Sequence, residues 1–185
     1  MYRNYLEFLL ISFPGSEVIE NRVIHTTTLK NLPIDRREGR LDVFIHNRPD
    51  GIKQGEYMRG HCHLYWRHSE MPDDSQCGIY ELIHLIGAPG NWVLHFETNR
   101  TMRDRTLVQT PQNMRTSVFV GRFKAEDREK IRQIAKTVPF DARETTTLDC
   151  RIWMVRMVKA LVAHGLLEAR CLQQLIERVP LPDVR

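Results

Sequence analysis

Cys150 has the clearest claim to chemistry in this sequence. It stands in Thr147-Leu-Asp-Cys150-Arg-Ile-Trp153, and an apolar line at helical spacing follows it through Met154, Met157, Val158 and Leu161 to Gly165. Thr147 and Asp149 are residue types that accept hydrogen bonds from the free N–H groups of a first helical turn, and Gly165 suits the left-handed position just past a helix end. The spacing therefore predicts a helix with a cysteine in its first turn, on the face that the helix buries. A helix N-terminus and the adjacent Arg151 both favour a thiolate, so one reading is a nucleophile. The other is a core cysteine, because free cysteine is among the most buried residue types.

A thiol nucleophile needs a base within hydrogen-bond reach, and that base needs an orienting partner. The candidates are His61 and His63 for the base and His84 for the partner. The segment from Gly60 to His68 reads as a strand whose pleat sets His61, His63 and Tyr65 on one face and Cys62, Leu64 and Trp66 on the other. In the next strand, from Gly78 to Ile86, Tyr80, Leu82 and His84 share a face. Such a site acts through a thioester on Cys150 and uses no cofactor or metal. Its substrate is a small-molecule or peptide acyl group. Asp149 works against it, because a negative charge beside the thiol raises its pKa.

A second chemistry is a divalent metal site. His61-x-His63, Glu70 and the later His95-x-x-x-Asn99 after Pro89-Gly90 offer the two histidines, glutamate and distant histidine of a cupin-like pattern, although the spacing departs from it. A non-catalytic binding or scaffold protein is the third reading.

The surrounding elements are strands first and helices after. Val18 to Leu29 and Leu41 to His46 read as strands. Gly87-Ala-Pro-Gly-Asn91 turns the chain into a further strand, Trp92 to Glu97. Arg100 to Arg115 reads as a long polar connection, and Thr116 to Phe123 as the last strand. Ala125 to Thr137 is predicted helical with Ile131, Ile134 and Ala135 as its apolar line. The cysteine helix and a final helix from Leu167 to Val179 complete the chain. That order predicts a single α+β domain over residues 1–185, an antiparallel sheet packed against helices.

His61-Cys-His-Leu-Tyr-Trp66, the turn ending Gly87-Ala-Pro-Gly90, and Asp149-Cys-Arg-Ile-Trp153 with Ala163-His-Gly-Leu166 together carry a family resemblance. They resemble an uncharacterised group of fungal proteins with an Asn-His-Trp strand start and a Cys-Arg/Gln-x-Trp helix start. The order of motifs in that group is similar to circularly permuted papain-like thiol enzymes, a class that includes relatives of cell-wall amidases, lecithin-retinol acyltransferases and desumoylating isopeptidases. The resemblance implies a permuted papain-like fold with Cys150 as nucleophile, His61 as base, His63 as its alternate and His84 as third residue. It implies acyl transfer or amide hydrolysis, in a fungal biosynthetic pathway. Asp149 stands where the family has Asn or Gly, and Cys62 where it has Trp.

Composition bounds the setting. The chain has 185 residues, 42% hydrophobic and 27% charged, which suits one globular domain rather than a disordered or fibrous chain. Its four cysteines form no CxxC pair, and Met1 to Pro14 carries Glu7 without a small-residue cleavage site, so the expected compartment is the reducing cytoplasm, with no membrane partner. The formal charge is +4, and arginine supplies most of the cations. Arg100, Arg103, Arg105, Arg115 and Arg122 raise RNA as a partner, with an aminoacyl-tRNA donor, as in cyclodipeptide synthesis, as an alternative function. A solvated basic surface is the plainer account of the same residues.

Overall fold

The apolar and polar alternation along the later strands gives one sheet with two unlike faces. The computed structural model describes residues 16–19, 22–28, 39–46, 62–71, 74–103, 115–143 and 150–178. These residues form seven strands, β1 (Ser16–Ile19), β2 (Arg22–Thr28), β3 (Gly39–His46), β4 (Cys62–Met71), β5 (Asp74–Ala88), β6 (Asn91–Arg103) and β7 (Arg115–Phe123). Three helices follow, α1 (Ala125–Thr137), α2 (Cys150–Ala163) and α3 (Ala169–Arg178). The strands make a single sheet in the order β1-β2-β6-β5-β4-β3-β7.

The α+β class is as expected, but the sheet is mixed rather than antiparallel. β2 runs parallel to β6, with Val23 opposite Val93, His25 opposite His95 and Thr27 opposite Glu97. A parallel pair needs a crossover, and here β3, β4 and β5 all lie between its two strands in sequence. Reading neighbours in order cannot reveal such a pairing. The expected connection from Arg100 is also corrected, because β6 stays paired with β5 through Cys77 opposite Arg103.

All three helices belong to one face. On α2, Cys150, Trp153, Met154, Met157, Val158 and Leu161 are buried, the three-and-four spacing of a core-facing stripe. They share a core with Cys62, Leu64 and Trp66 of β4, Ile83 and Leu85 of β5, and Leu94 and Phe96 of β6. Trp66 and Trp153 are fully buried, and truncating either to alanine would cost about 3–5 kcal/mol. α2 ends as its sequence predicts. Gly165 has φ 71°, and the Leu166 and Gly165 N–H groups bond the carbonyls of Leu161 and Val162, which closes the last turn without a Cβ penalty.

α1 is tied down by charge. Glu81 of β5 is 1% exposed, and Arg132 of α1 donates to both of its carboxylate oxygens, at 2.5 and 2.6 Å, while standing over the Trp66 ring. The guanidinium also takes Glu129 at 2.5 Å. At the other end of α1, Arg22 of β2 donates to the Lys136 carbonyl at 2.7 Å, satisfying one of the free acceptors of a helix end. No helix among the described residues is long and apolar enough to cross a membrane.

Candidate metal centre

The turn between β5 and β6 sets the site. Ala88 pairs with Asn91, so Pro89 and Gly90 form a two-residue loop, and Gly90 has φ 86°, as the third residue of a type II turn requires. Gly87 is constrained twice. Its φ is 114°, and a Cβ there would lie 2.0 Å from the Asn91 carbonyl oxygen. With the turn fixed, the register follows down the ladder: Leu85 meets Leu94, His84 meets His95 and Leu82 meets Glu97.

Since Leu64, Ile83 and Leu94 point into the helical core, the pleat turns His63, His84 and His95 to the opposite face. His25 joins them through the parallel pair. The four imidazoles form a row across β4, β5, β6 and β2. His63 to His84 spans 6.2 Å between ring centroids, edge to face; His84 to His95 is 5.3 Å and His95 to His25 5.1 Å, both stacked. His63 also meets Tyr65 at 5.7 Å, and Tyr65, Tyr80 and Leu82 form a separate small apolar cluster on this face.

Three donor atoms of this face converge. His84 Nε2 lies 3.3 Å from His95 Nδ1 and 3.3 Å from Glu97 Oε1, and His95 Nδ1 lies 3.5 Å from Glu97 Oε1. All three residues are well covered, with side chains 9%, 12% and 10% exposed. His95 and Glu97 are each held by a further partner on the far side. His95 Nε2 is 3.0 Å from Thr27 Oγ1, and Glu97 Oε2 accepts a hydrogen bond from Arg100.

The electrostatics leave two of the three, His95 and Glu97, in the form that ligates a metal. Burial pushes the His95 pKa down to about 4, the neighbouring His84 charge adds to this, and Glu97 opposes it. Glu97 is held well below the usual carboxylate range, first by its hydrogen bond with His84 and then by Arg100, against the effect of burial. At neutral pH His95 is therefore neutral and Glu97 ionised, the forms that ligate metal.

The sequence-predicted thiol site is not gathered in this way. Cys150 opens α2 as its first residue and is 9% exposed, but it lies in the helical core, on the side of the sheet away from His63 and His84. The sheet lies between the Cys150 thiol and the His63 and His84 imidazoles. His61, Thr147 and Asp149 lie outside the described residues. Of the expected arginine cluster, Arg105 lies outside them too. Arg100 serves Glu97, and Arg122 is on β7, four strands across the sheet from β6 and so about 19 Å away.

The sequence pattern assigns His84 to the thiol site and His95 to a different metal pattern with Glu70 and Asn99, and it leaves Glu97 out. The signal that finds all three is arithmetical. Once Pro89-Gly90 is the loop, residues whose numbers sum to 179 face each other, which puts 84 against 95 and 82 against 97.

No curated protein and no solved structure matches the chain. Residues 52–168 match the family of unknown function DUF6540, and that span contains His84, His95 and Glu97. By that match, which covers more than half its length, the chain belongs to the DUF6540 family.

Proposed function

We propose that this protein binds a divalent transition metal, zinc being the best suited, through His84 Nε2, His95 Nδ1 and Glu97 Oε1, and that the centre is hydrolytic. The observation that carries it is the triangle of 3.3, 3.3 and 3.5 Å among those atoms. Zinc holds nitrogen and oxygen at about 2.0–2.1 Å, so the edges of a regular tetrahedron around it are about 3.3–3.4 Å. Octahedral ligands at the same bond length would sit about 2.8–3.0 Å apart, closer than these. Hydrogen bonding alone accounts for the triangle less well. All three separations exceed the ordinary N–H···O distance of about 2.9–3.0 Å, and one imidazole proton on His84 Nε2 cannot serve two acceptors well.

Two histidines and one carboxylate leave a fourth position open, the mark of catalytic rather than structural zinc sites. Bound there, the metal supplies Lewis acidity and brings the pKa of a coordinated water to about 7. The chain's own residues fix the geometry. Arg100 occupies Glu97 Oε2, which would leave Oε1 for the metal, and His63, on the same face with its ring centroid 6.2 Å from that of His84, would be the nearby imidazole able to accept a proton. The test is metal content. Tag-free protein, stripped with chelator and reloaded, should hold one equivalent of zinc by elemental analysis, and Glu97→Ala should hold none. Wild-type protein that retains no zinc after desalting would remove the reading.

A second reading keeps the thiol. Cys150 is the first residue of α2, where the helix dipole favours a thiolate, and this supports the resemblance to permuted papain-like acyl transferases and amidases. Its base would be His61. Iodoacetamide mapping decides it: faster labelling of Cys150 than of Cys62 or Cys171 in folded protein, lost in His61→Ala, is the expected result. Labelling of Cys150 only on unfolding would make it a core residue.

A further inference from the structure

The metal ligands all lie within the family-matched span, but one of them is held by a residue outside it. Thr27 is in β2, N-terminal to residues 52–168, and reaches the centre through the parallel pairing with β6. That pairing sets Thr27 opposite Glu97 and His25 opposite His95. Thr27 Oγ1 lies 3.0 Å from His95 Nε2 and 2.9 Å from His25 Nε2, so the hydroxyl sits between two imidazoles.

We propose that Thr27, backed by His25, is a positioning residue that keeps the proton of His95 on Nε2 and so presents Nδ1, with its lone pair free, to the metal. This rests on the metal reading given above.

A neutral imidazole carries its proton on one nitrogen only. If the proton were on Nδ1, it would point into the triangle formed with His84 Nε2 and Glu97 Oε1, and no metal could bind there. With the proton on Nε2, it is donated to Thr27 Oγ1. The threonine hydroxyl has one hydrogen of its own, and His25 Nε2 is the acceptor within reach of it. Donation to His25 leaves the oxygen lone pairs facing His95, so the three groups run in one direction: His95 N–H to Thr27, Thr27 O–H to His25. His25 then carries its own proton on Nδ1. Stacking of the two rings at 5.1 Å and 24° holds the planes in the alignment this chain of bonds needs. The far-side hydrogen bond of a ligating histidine fixes its tautomer and ring angle, and losing it typically weakens metal binding 10–100-fold.

The experiment uses full-length, tag-free protein with 15N-labelled histidine, stripped of metal and titrated with zinc against a chromophoric chelator. Thr27→Val keeps the shape and removes the hydroxyl. It is expected to bind one equivalent of zinc with affinity reduced about 10–100-fold, and Thr27→Ser to restore it. In zinc-free wild-type protein the imidazole 15N signals of His95 are expected to show protonation at Nε2, and in Thr27→Val a mixture of the two tautomers. That wild-type spectrum needs no variant, so it decides the matter even where Thr27→Val fails to fold. A zinc-free wild type with the His95 proton on Nδ1, or a Thr27→Val protein with unchanged affinity and tautomer, would overturn the role of Thr27 while leaving the metal centre intact. Failure of wild-type protein to bind zinc would instead overturn the centre itself.

Discussion

His84 Nε2 and Glu97 Oε1 lie 3.3 Å apart across the β5–β6 ladder, although the two residues are not register partners. His84 faces His95, and Glu97 faces Leu82, one pleat repeat further along the same face. The diagonal contact is what turns a histidine row into a three-sided donor set. Two neighbouring strands and a single turn build the whole of it, so its geometry is only as firm as that hairpin's register.

A ligand that binds only the folded protein stabilises it by an amount set by concentration over Kd. Zinc at about 100 times its Kd should add about 2.7 kcal/mol, which for a domain of this size raises Tm by roughly 5–11 °C. Chelator-treated protein should show the rise on zinc addition, and His84→Ala and Glu97→Ala should not. Scanning calorimetry with and without zinc gives the comparison. An equal rise in both variants would mean that the zinc sits elsewhere.

Gly87 is the residue on which the register depends most. Its φ is 114°, and a Cβ at this position would stand 2.0 Å from the Asn91 carbonyl oxygen, which leaves no relaxed state for alanine. Gly87→Ala should cost more than the roughly 1–3 kcal/mol of strain that a positive φ, such as the 86° at Gly90, imposes on alanine. The variant should also lose zinc binding out of proportion to its lost stability, because His84 and His95 no longer meet. Urea midpoints read against zinc affinity test this; stability loss with unchanged affinity would show that the register survives.

How legible all this was in the sequence varied with the range of the contact. The helices α1 and α2, the glycine at the end of α2 and the alternating faces of β4 and β5 rest on spacing within one segment, and these match the expected pattern. The parallel partnership of β2 with β6 spans a long stretch of chain, and nothing in Val23-Ile-His-Thr-Thr27 announces it. The placement of the candidate site residues depends on longer-range facts. Cys150 and His63 each have the right local setting, but which face of the sheet the helices cover is a tertiary fact. Trp66 and Leu64 point into the same core as Cys150, and that one relation sends the histidines elsewhere.

Glu81 tests the other face. It is almost fully buried, and Arg132 supplies its countercharge through two hydrogen bonds. Removing one partner of a buried pair leaves an uncompensated charge and costs about 3–5 kcal/mol, whereas replacing both with apolar residues is often neutral. Arg132→Met should therefore destabilise by that amount, and adding Glu81→Met should recover most of the loss. Denaturant unfolding of the two single variants and the double variant measures the coupling. Additive losses would mean that the pair is not the anchor of α1.

Acid should weaken the metal-free protein, and His95 sets where this begins. Its pKa is about 4 when folded against 6.5 for the ordinary side chain, so between those values the unfolded chain binds the extra proton and the folded one does not. Stability then rises with pH across that window; equivalently, it is full above about pH 6.5 and falls as pH drops toward 4. Glu97 acts in the same direction lower down, because a carboxyl held below its ordinary range contributes stability that is lost as it protonates. Urea midpoints of chelator-treated protein between pH 8 and 4 should be level at first and then decline. In His95→Gln, which has no proton to gain, the decline should start nearer the carboxylate range. A wild type and variant that decline together from the same pH would show that His95 is free to protonate in the folded protein, and that burial and the neighbouring His84 do not hold it neutral.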